Sequence, residues 1–227
     1  MEISASILNV KEEEAIHTFY RIETAKTDYF HIDVMDGKFV ENDTSLIMQK
    51  YADNLKNITN LPLDVHLMVD DVKKYIDIFA SCEPDTITFH IEKSGIKDNN
   101  LGLIESDEIE SLIEYIKKSN CKVGIAIDPK TDIKEVYKYL KNIHRVLIMS
   151  VWPGRGGQKY IEETNNKIIE IKNYLKENNL ETEIEVDGGI NDENITELKK
   201  EEIDIAVVGS YLINSKDYKF TINKLKS

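Results

Sequence analysis

The chain has 227 residues, 41% of them hydrophobic, with 29 Lys and Arg against 42 Asp and Glu and a formal net charge of -13. So acidic a chain lacks the clustered cations that a nucleic-acid partner requires, and no apolar run reaches the roughly 18 residues of a membrane span. Its N-terminal MEISASILNV has neither the basic nor the apolar region of a secretion signal, so a cytoplasmic protein without membrane contacts is expected.

Short runs rich in β-branched residues alternate with longer amphipathic segments rich in Lys and Glu, the pattern of repeated strand–helix units on a parallel sheet. In chain order, strands are predicted near Glu2 to Leu8, Tyr29 to Val34, Leu63 to Leu67, Thr86 to His90, Lys122 to Ile127, Arg145 to Val151, Glu183 to Asp187 and Ile205 to Val208. Between them, segments such as Ser106 to Ser119 and Thr164 to Glu177 carry Ile, Leu and Tyr at helical spacing, with charge on the opposite face. No Pro/Gly/Ser-rich linker interrupts the alternation, so one (β/α)8 TIM barrel over residues 1–227 is expected. Cys82 and Cys121 have no paired spacing with histidines and read as reduced, structural thiols.

Such barrels place their active sites at the C-terminal ends of the strands. In the decapeptide HIDVMDGKFV, His31 and Asp33 share one face because strand side chains alternate with period two. His66 falls near the end of the third strand and Asp187 at the end of the seventh. Taken singly, a strand-end histidine is more often a packing residue, and Asp before Gly is usually turn chemistry. Together, His31, Asp33, His66 and Asp187 form a set of two imidazoles and two carboxylates suited to one divalent cation: zinc, iron(II), manganese or cobalt. Asp33 and Asp187, ending separate strands, could also place one acid/base group on each face of a substrate carbon, which is what epimerisation by proton transfer needs.

Glycine-rich loops follow the last three strands: Gly154, Arg155, Gly156 and Gly157; then Gly188 and Gly189; then Gly209 with Ser210. A single glycine pair is more often a tight turn. Three such loops on neighbouring strands read as a backbone cradle for a phosphate ester. Among other candidates, His17 and His144 read as surface residues, His90 and Glu92 end the fourth strand on the face of the site with Glu92 as hydrogen-bonding support rather than a metal ligand, and Asp36 reads as the fastener of the turn through Gly37. Met35, Met68 and Met149 near strand ends fit core filling, or a polarizable lining to the barrel mouth. The polar segment from Lys93 to Glu105 reads as a lid, a subunit contact or a loop without a role.

These motifs, taken in order, resemble the ribulose-phosphate 3-epimerase family: SASIL, DYFHIDVMDGKFVEN, LDVHLMV, TFHIE, KVGIAIDPKT, VLIMSVWPGRGGQKYI, IEVDGGI and VVGS. The resemblance implies a barrel of the ribulose-phosphate-binding type that interconverts D-ribulose 5-phosphate and D-xylulose 5-phosphate with one divalent metal ion, in a homo-oligomer. It implies metal ligands at His31, Asp33, His66 and Asp187, and acid/base catalysis by Asp33 and Asp187. It places substrate contacts at Ser6, His66, Gly154 to Gly157, Gly188, Gly189, Gly209 and Ser210, with Met35, Met68 and Met149 lining the site. The chain departs from the family pattern at Ala5, Glu41, Trp152 and Arg155, and in the length of the segment after Glu92. Those departures keep open a hexulose-phosphate epimerase acting on allulose 6-phosphate, and a barrel that binds a sugar phosphate without catalysis stands as the reading of another class.

Overall fold

The computed structural model describes residues 1–93 and 102–227. Eight parallel strands close on themselves in sequence order, the first pairing with the last. They are β1 (Glu2–Ser6), β2 (Tyr29–Met35), β3 (Leu63–Met68), β4 (Thr86–His90), β5 (Lys122–Ile127), β6 (Arg145–Met149), β7 (Glu183–Asp187) and β8 (Ile205–Val208). The helices are α1 (Ala15–Thr24), α2 (Ser45–Ile58), α3 (Val72–Ala80), α4 (Ser106–Lys118), α5 (Thr164–Glu177), α6 (Ile195–Lys200), α7 (Ser210–Ile213) and α8 (Tyr218–Lys226). The closed barrel with alternating helices is the fold expected from the sequence.

Each long helix presents one apolar stripe to the barrel. In α4 the buried residues are Ile109, Leu112, Ile113 and Ile116, the spacing of one helical face. Asp107 and Glu108 stand in its first turn and Lys117 and Lys118 in its last, each sign opposing the helix dipole. The Asp71 side chain caps α3 by accepting from Lys74 N at 3.2 Å, and Asp217 caps α8 by accepting from Phe220 N at 2.9 Å. The stripes meet the outward-facing strand residues, so that Ile3, Phe30, Ile32, Val65, Phe89, Ile125 and Ile148 are closed from solvent with Ile76, Phe79, Ile116 and Ile171.

Strand positions agree with the sequence reading and the ends differ. β1 stops at Ser6 and β6 at Met149, each short of the predicted end, while β2 and β3 continue to Met35 and Met68. Between β5 and β6 stands a 3-10 helix, Ile133–Asn142, with Ile133, Val136 and Tyr139 buried at three-residue spacing. Among the described residues no helix is long and apolar enough to cross a membrane.

Candidate active site

Parallel register brings the sequence candidates side by side. Ser6 pairs with His31 across β1 and β2, Asp33 with His66 and Met35 with Met68 across β2 and β3, and Met149 with Asp187 across β6 and β7. A cavity opens at this end of the barrel. Ser6, Asp33, Met35, Met68, Met149, Asp187, Gly154 to Gly157, Gly188, Gly189, Gly209 and Ser210 all line it. His31 and His66 lie fully buried beneath its floor.

His31, Asp33, His66 and Asp187 each offer one donor atom within 4.8 Å of the others. His31 Nε2 lies 3.3 Å from Asp33 Oδ1 and 3.9 Å from Asp187 Oδ2. His66 Nδ1 lies 3.3 Å from Asp33 Oδ1 and 3.8 Å from Asp187 Oδ2. His31 Nδ1 is 2.7 Å from Asp64 Oδ2. A carboxylate there holds a proton on Nδ1, so that a cation among the other three donors would meet the Nε2 lone pair. That Nε2 is buried without a hydrogen-bond partner, which a buried polar nitrogen tolerates poorly unless a ligand completes it. Two nitrogens and two oxygens around one point fit the borderline divalent metals.

The same geometry separates the two carboxyl groups electrically. Burial would raise Asp33, yet the charges and hydrogen bonds of His31 and His66 outweigh it and hold the group far below the usual carboxylate range. Ser6 Oγ also donates to Asp33 Oδ2 at 2.7 Å. Asp187 gains less compensation, and burial, followed by the charge of Asp33, pushes it up to about 7. Burial likewise lowers His66 to about 4. Two carboxyl groups in one cavity are thereby poised for opposite proton-transfer roles.

The glycine loops close the other side of the cavity. At Gly188, with φ +127, an added Cβ would lie 2.8 Å from Val151 N, and at Gly189, with φ +65, it would lie 2.5 Å from Tyr160 N. Only glycine lets these backbones pass so closely. Gly209 leads directly into the short α7, so the loops after β7 and β8 have the arrangement with which barrels commonly bind phosphate. Arg155 is exposed at the cavity lip, and Trp152 also lines it. Glu41 is exposed and is not among the described residues that form the cavity wall.

The family model for the ribulose-phosphate 3 epimerase family matches residues 2–213. The chain belongs to that family. It is 33% identical to the ribulose-phosphate 3-epimerase of Helicobacter pylori (strain J99 / ATCC 700824) over 100% of this chain and 97% of that protein. It is 34% identical to the ribulose-phosphate 3-epimerase of Methanocaldococcus jannaschii, over 100% of this chain and 90% of that protein. Among solved structures, a 3-hexulose-6-phosphate synthase from Salmonella typhimurium superposes with a TM-score of 0.70 over 99% of this chain and 96% of that one, and at 13% identity it shows the fold alone. As a member of the epimerase family the chain is an isomerase, as the motifs imply.

Other sequence expectations meet mixed outcomes. Asp36 does fasten its turn, accepting from Lys38 N and Phe39 N at 2.9 Å each. His17 is exposed, but His144 is half-buried, with Nε2 3.4 Å from Glu183 Oε2, because the chain enters β6 one residue later. Of the expected loop from Lys93 to Glu105, residues 94–101 lie outside the described residues. Its ends are joined by Lys93 N donating to Gly102 O at 2.7 Å and Ile104 N to Ile91 O at 2.9 Å.

Sequence reasoning missed the layer below the site. Arg145, fully buried inside the barrel, lies 3.1 Å from Asp64 Oδ1 and 3.2 Å from Glu185 Oε2. Asp64 takes a further bond from Ser4 Oγ at 3.0 Å. The signal for Asp64 and Glu185 was present, since each precedes a site residue by two positions and so shares its strand face.

Proposed function

We propose that this cavity inverts the C3 stereocentre of D-ribulose 5-phosphate to give D-xylulose 5-phosphate, and the reverse, by proton transfer between Asp33 and Asp187. The reading rests on one observation above all: carboxylates from β2 and β7 converge with His31 and His66 on one point at the cavity floor. A proton on C3 is acidified by the neighbouring C2 ketone, so removing it leaves a planar carbon that either face can reprotonate. Asp33, held below the usual carboxylate range, is the better placed to accept from one face, and Asp187, pushed above it, to give to the other. The reverse reaction exchanges their roles.

His31, Asp33, His66 and Asp187 would hold the divalent ion, which supplies Lewis-acid stabilisation of the negative charge that develops beside C3. Zinc, iron(II), manganese and cobalt all suit these donors. Ser6 orients Asp33, and Met35, Met68 and Met149 enclose the reacting carbons in a soft, water-poor wall. The substrate phosphate lies against Gly188, Gly189, Gly209 and Ser210, with the Gly154, Arg155, Gly156 and Gly157 loop over it. The barrel forms one domain over residues 1–227 and acts as a homo-oligomer in the cytoplasm.

Steady-state turnover on D-ribulose 5-phosphate and D-allulose 6-phosphate tests the substrate. The pentulose phosphate is expected to be preferred in kcat/KM. A strong preference for the hexulose phosphate would move the assignment to the hexulose-phosphate epimerase. Tight binding of either sugar without turnover in metal-loaded protein would leave a binding barrel.

A further inference from the structure

His31 and His66 are both proposed as metal ligands, yet their second nitrogens are held by different means. His31 Nδ1 meets a carboxylate directly. His66 Nε2 instead faces the ring of His90, Nε2 to Nε2 at 2.9 Å, with the two rings stacked at 23°. At that separation one nitrogen donates and the other accepts. A metal ion on His66 Nδ1 requires the His66 proton to be on Nε2, so His90 Nε2 must be the acceptor and the His90 proton must sit on Nδ1.

The surroundings of His90 hold a proton on its Nδ1. His90 Nδ1 lies 3.1 Å from Glu92 Oε2 and 3.2 Å from Asp128 Oδ1, two acceptor groups on the same nitrogen. Glu92 is fixed in turn, its Oε1 accepting from Asp128 N at 2.9 Å. Asp128 makes no hydrogen bond through either carboxylate oxygen among the described residues, and its Oδ1 faces the same nitrogen. Lys167 from α5 holds the segment in place, donating to the carbonyls of Asp128 and Thr131 at 2.6 and 2.5 Å. All of His90, Glu92 and Asp128 are buried, so water does not compete for these bonds.

We propose that His90, anchored by Glu92 and Asp128, is a positioning relay that fixes the proton of His66 on Nε2 and so turns the His66 Nδ1 lone pair toward the metal. The proposal rests on the divalent-metal reading above. The same three side chains could hold a second cation instead. A cation on His90 Nδ1, however, would leave the His90 proton on Nε2, pointing at His66, and force the His66 proton onto the atom that faces the first metal. The two arrangements exclude each other.

The test uses the full-length chain, zinc, and Glu92→Gln combined with Asp128→Asn. Amide side chains can donate to His90 Nδ1 and so permit the opposite tautomer. Competition against a chelating dye is expected to show zinc held about 10 to 100-fold more weakly in the double variant, with cooperative unfolding retained. In zinc-loaded wild-type protein, 15N spectra of the imidazoles should show His90 protonated on Nδ1 alone, a measurement that needs no variant to fold. Undiminished zinc affinity in the folded double variant, a His90 proton on Nε2, or a second zinc lost with these carboxylates would each overturn the relay. Absence of zinc binding to the wild-type chain would overturn the metal reading and the relay together.

Discussion

On their outer faces the barrel strands carry Phe30, Ile32, Val65, Phe89, Ile125 and Ile148; the inner faces of β2, β3, β6 and β7 carry His31, Asp33, Asp64, His66, Arg145 and Glu185. Both sets are buried. The outer set meets the helices and supplies the apolar burial that drives folding. The inner set contradicts the bulky aliphatic filling usual for such barrels, and burying so many polar groups costs free energy unless each finds a partner. Arg145 therefore sits among Asp64, Glu183 and Glu185, and Asp64 holds His31 in turn. Two faces of one strand thus divide the work, stability outside and chemistry inside.

Substitutions on the two faces should separate accordingly. Asp187→Asn keeps the shape of the inner face while removing one acid/base group and one proposed ligand. Turnover should fall on the order of 10^3-fold or more, with the circular dichroism melt little changed, and near-normal activity would refute the assignment. Arg145→Met leaves Asp64 and Glu185 buried without their cation. Urea unfolding should show a loss of about 3 to 5 kcal/mol, the usual cost of breaking a buried ion pair, and a loss below 1 kcal/mol would mean that the inner network is not held by charge.

On the outer face, Ile125→Val removes one methylene from the strand–helix layer. It should cost about 0.5 to 1.5 kcal/mol and leave kcat/KM unchanged, so a fall in turnover would break the division between faces. The smallest expected effect concerns the thiols. Burial pushes Cys82 and Cys121 up to about 11, so at pH 8 only about one thiol in a thousand is ionised, and that fraction rises about tenfold per pH unit toward 11. Iodoacetamide at pH 8 should label neither cysteine in native protein and both in urea. Rapid native labelling would show that the outer layer opens there.

The outer face was the easier to read from the sequence. β-branched runs and helical stripes follow from burial alone, and they placed all eight strands. Strand ends were less legible, because Ile7, Leu8 and Val151 continue the apolar pattern after the ladder has stopped. The Ile133, Val136 and Tyr139 spacing carried the three-residue period of a 3-10 helix, although it also fits an α-helical stripe. The cavity residues were legible because each stands at the C-terminal end of a strand or in the loop after it. Arg145 was not, since a charge at the first residue of a strand reads as solvent-facing until the barrel closes around it.

The central claim is that a metal-dependent pair of aspartates exchanges the C3 proton of the sugar phosphate. It is tested most directly by incubating the enzyme with D-ribulose 5-phosphate in deuterium oxide and following C3 by NMR, before chelation, after it, and after a divalent metal is restored. Deuterium should enter C3 as D-xylulose 5-phosphate forms, stop when the metal is removed and resume when it returns. A C3 proton retained in metal-loaded protein that binds the sugar phosphate would contradict the account.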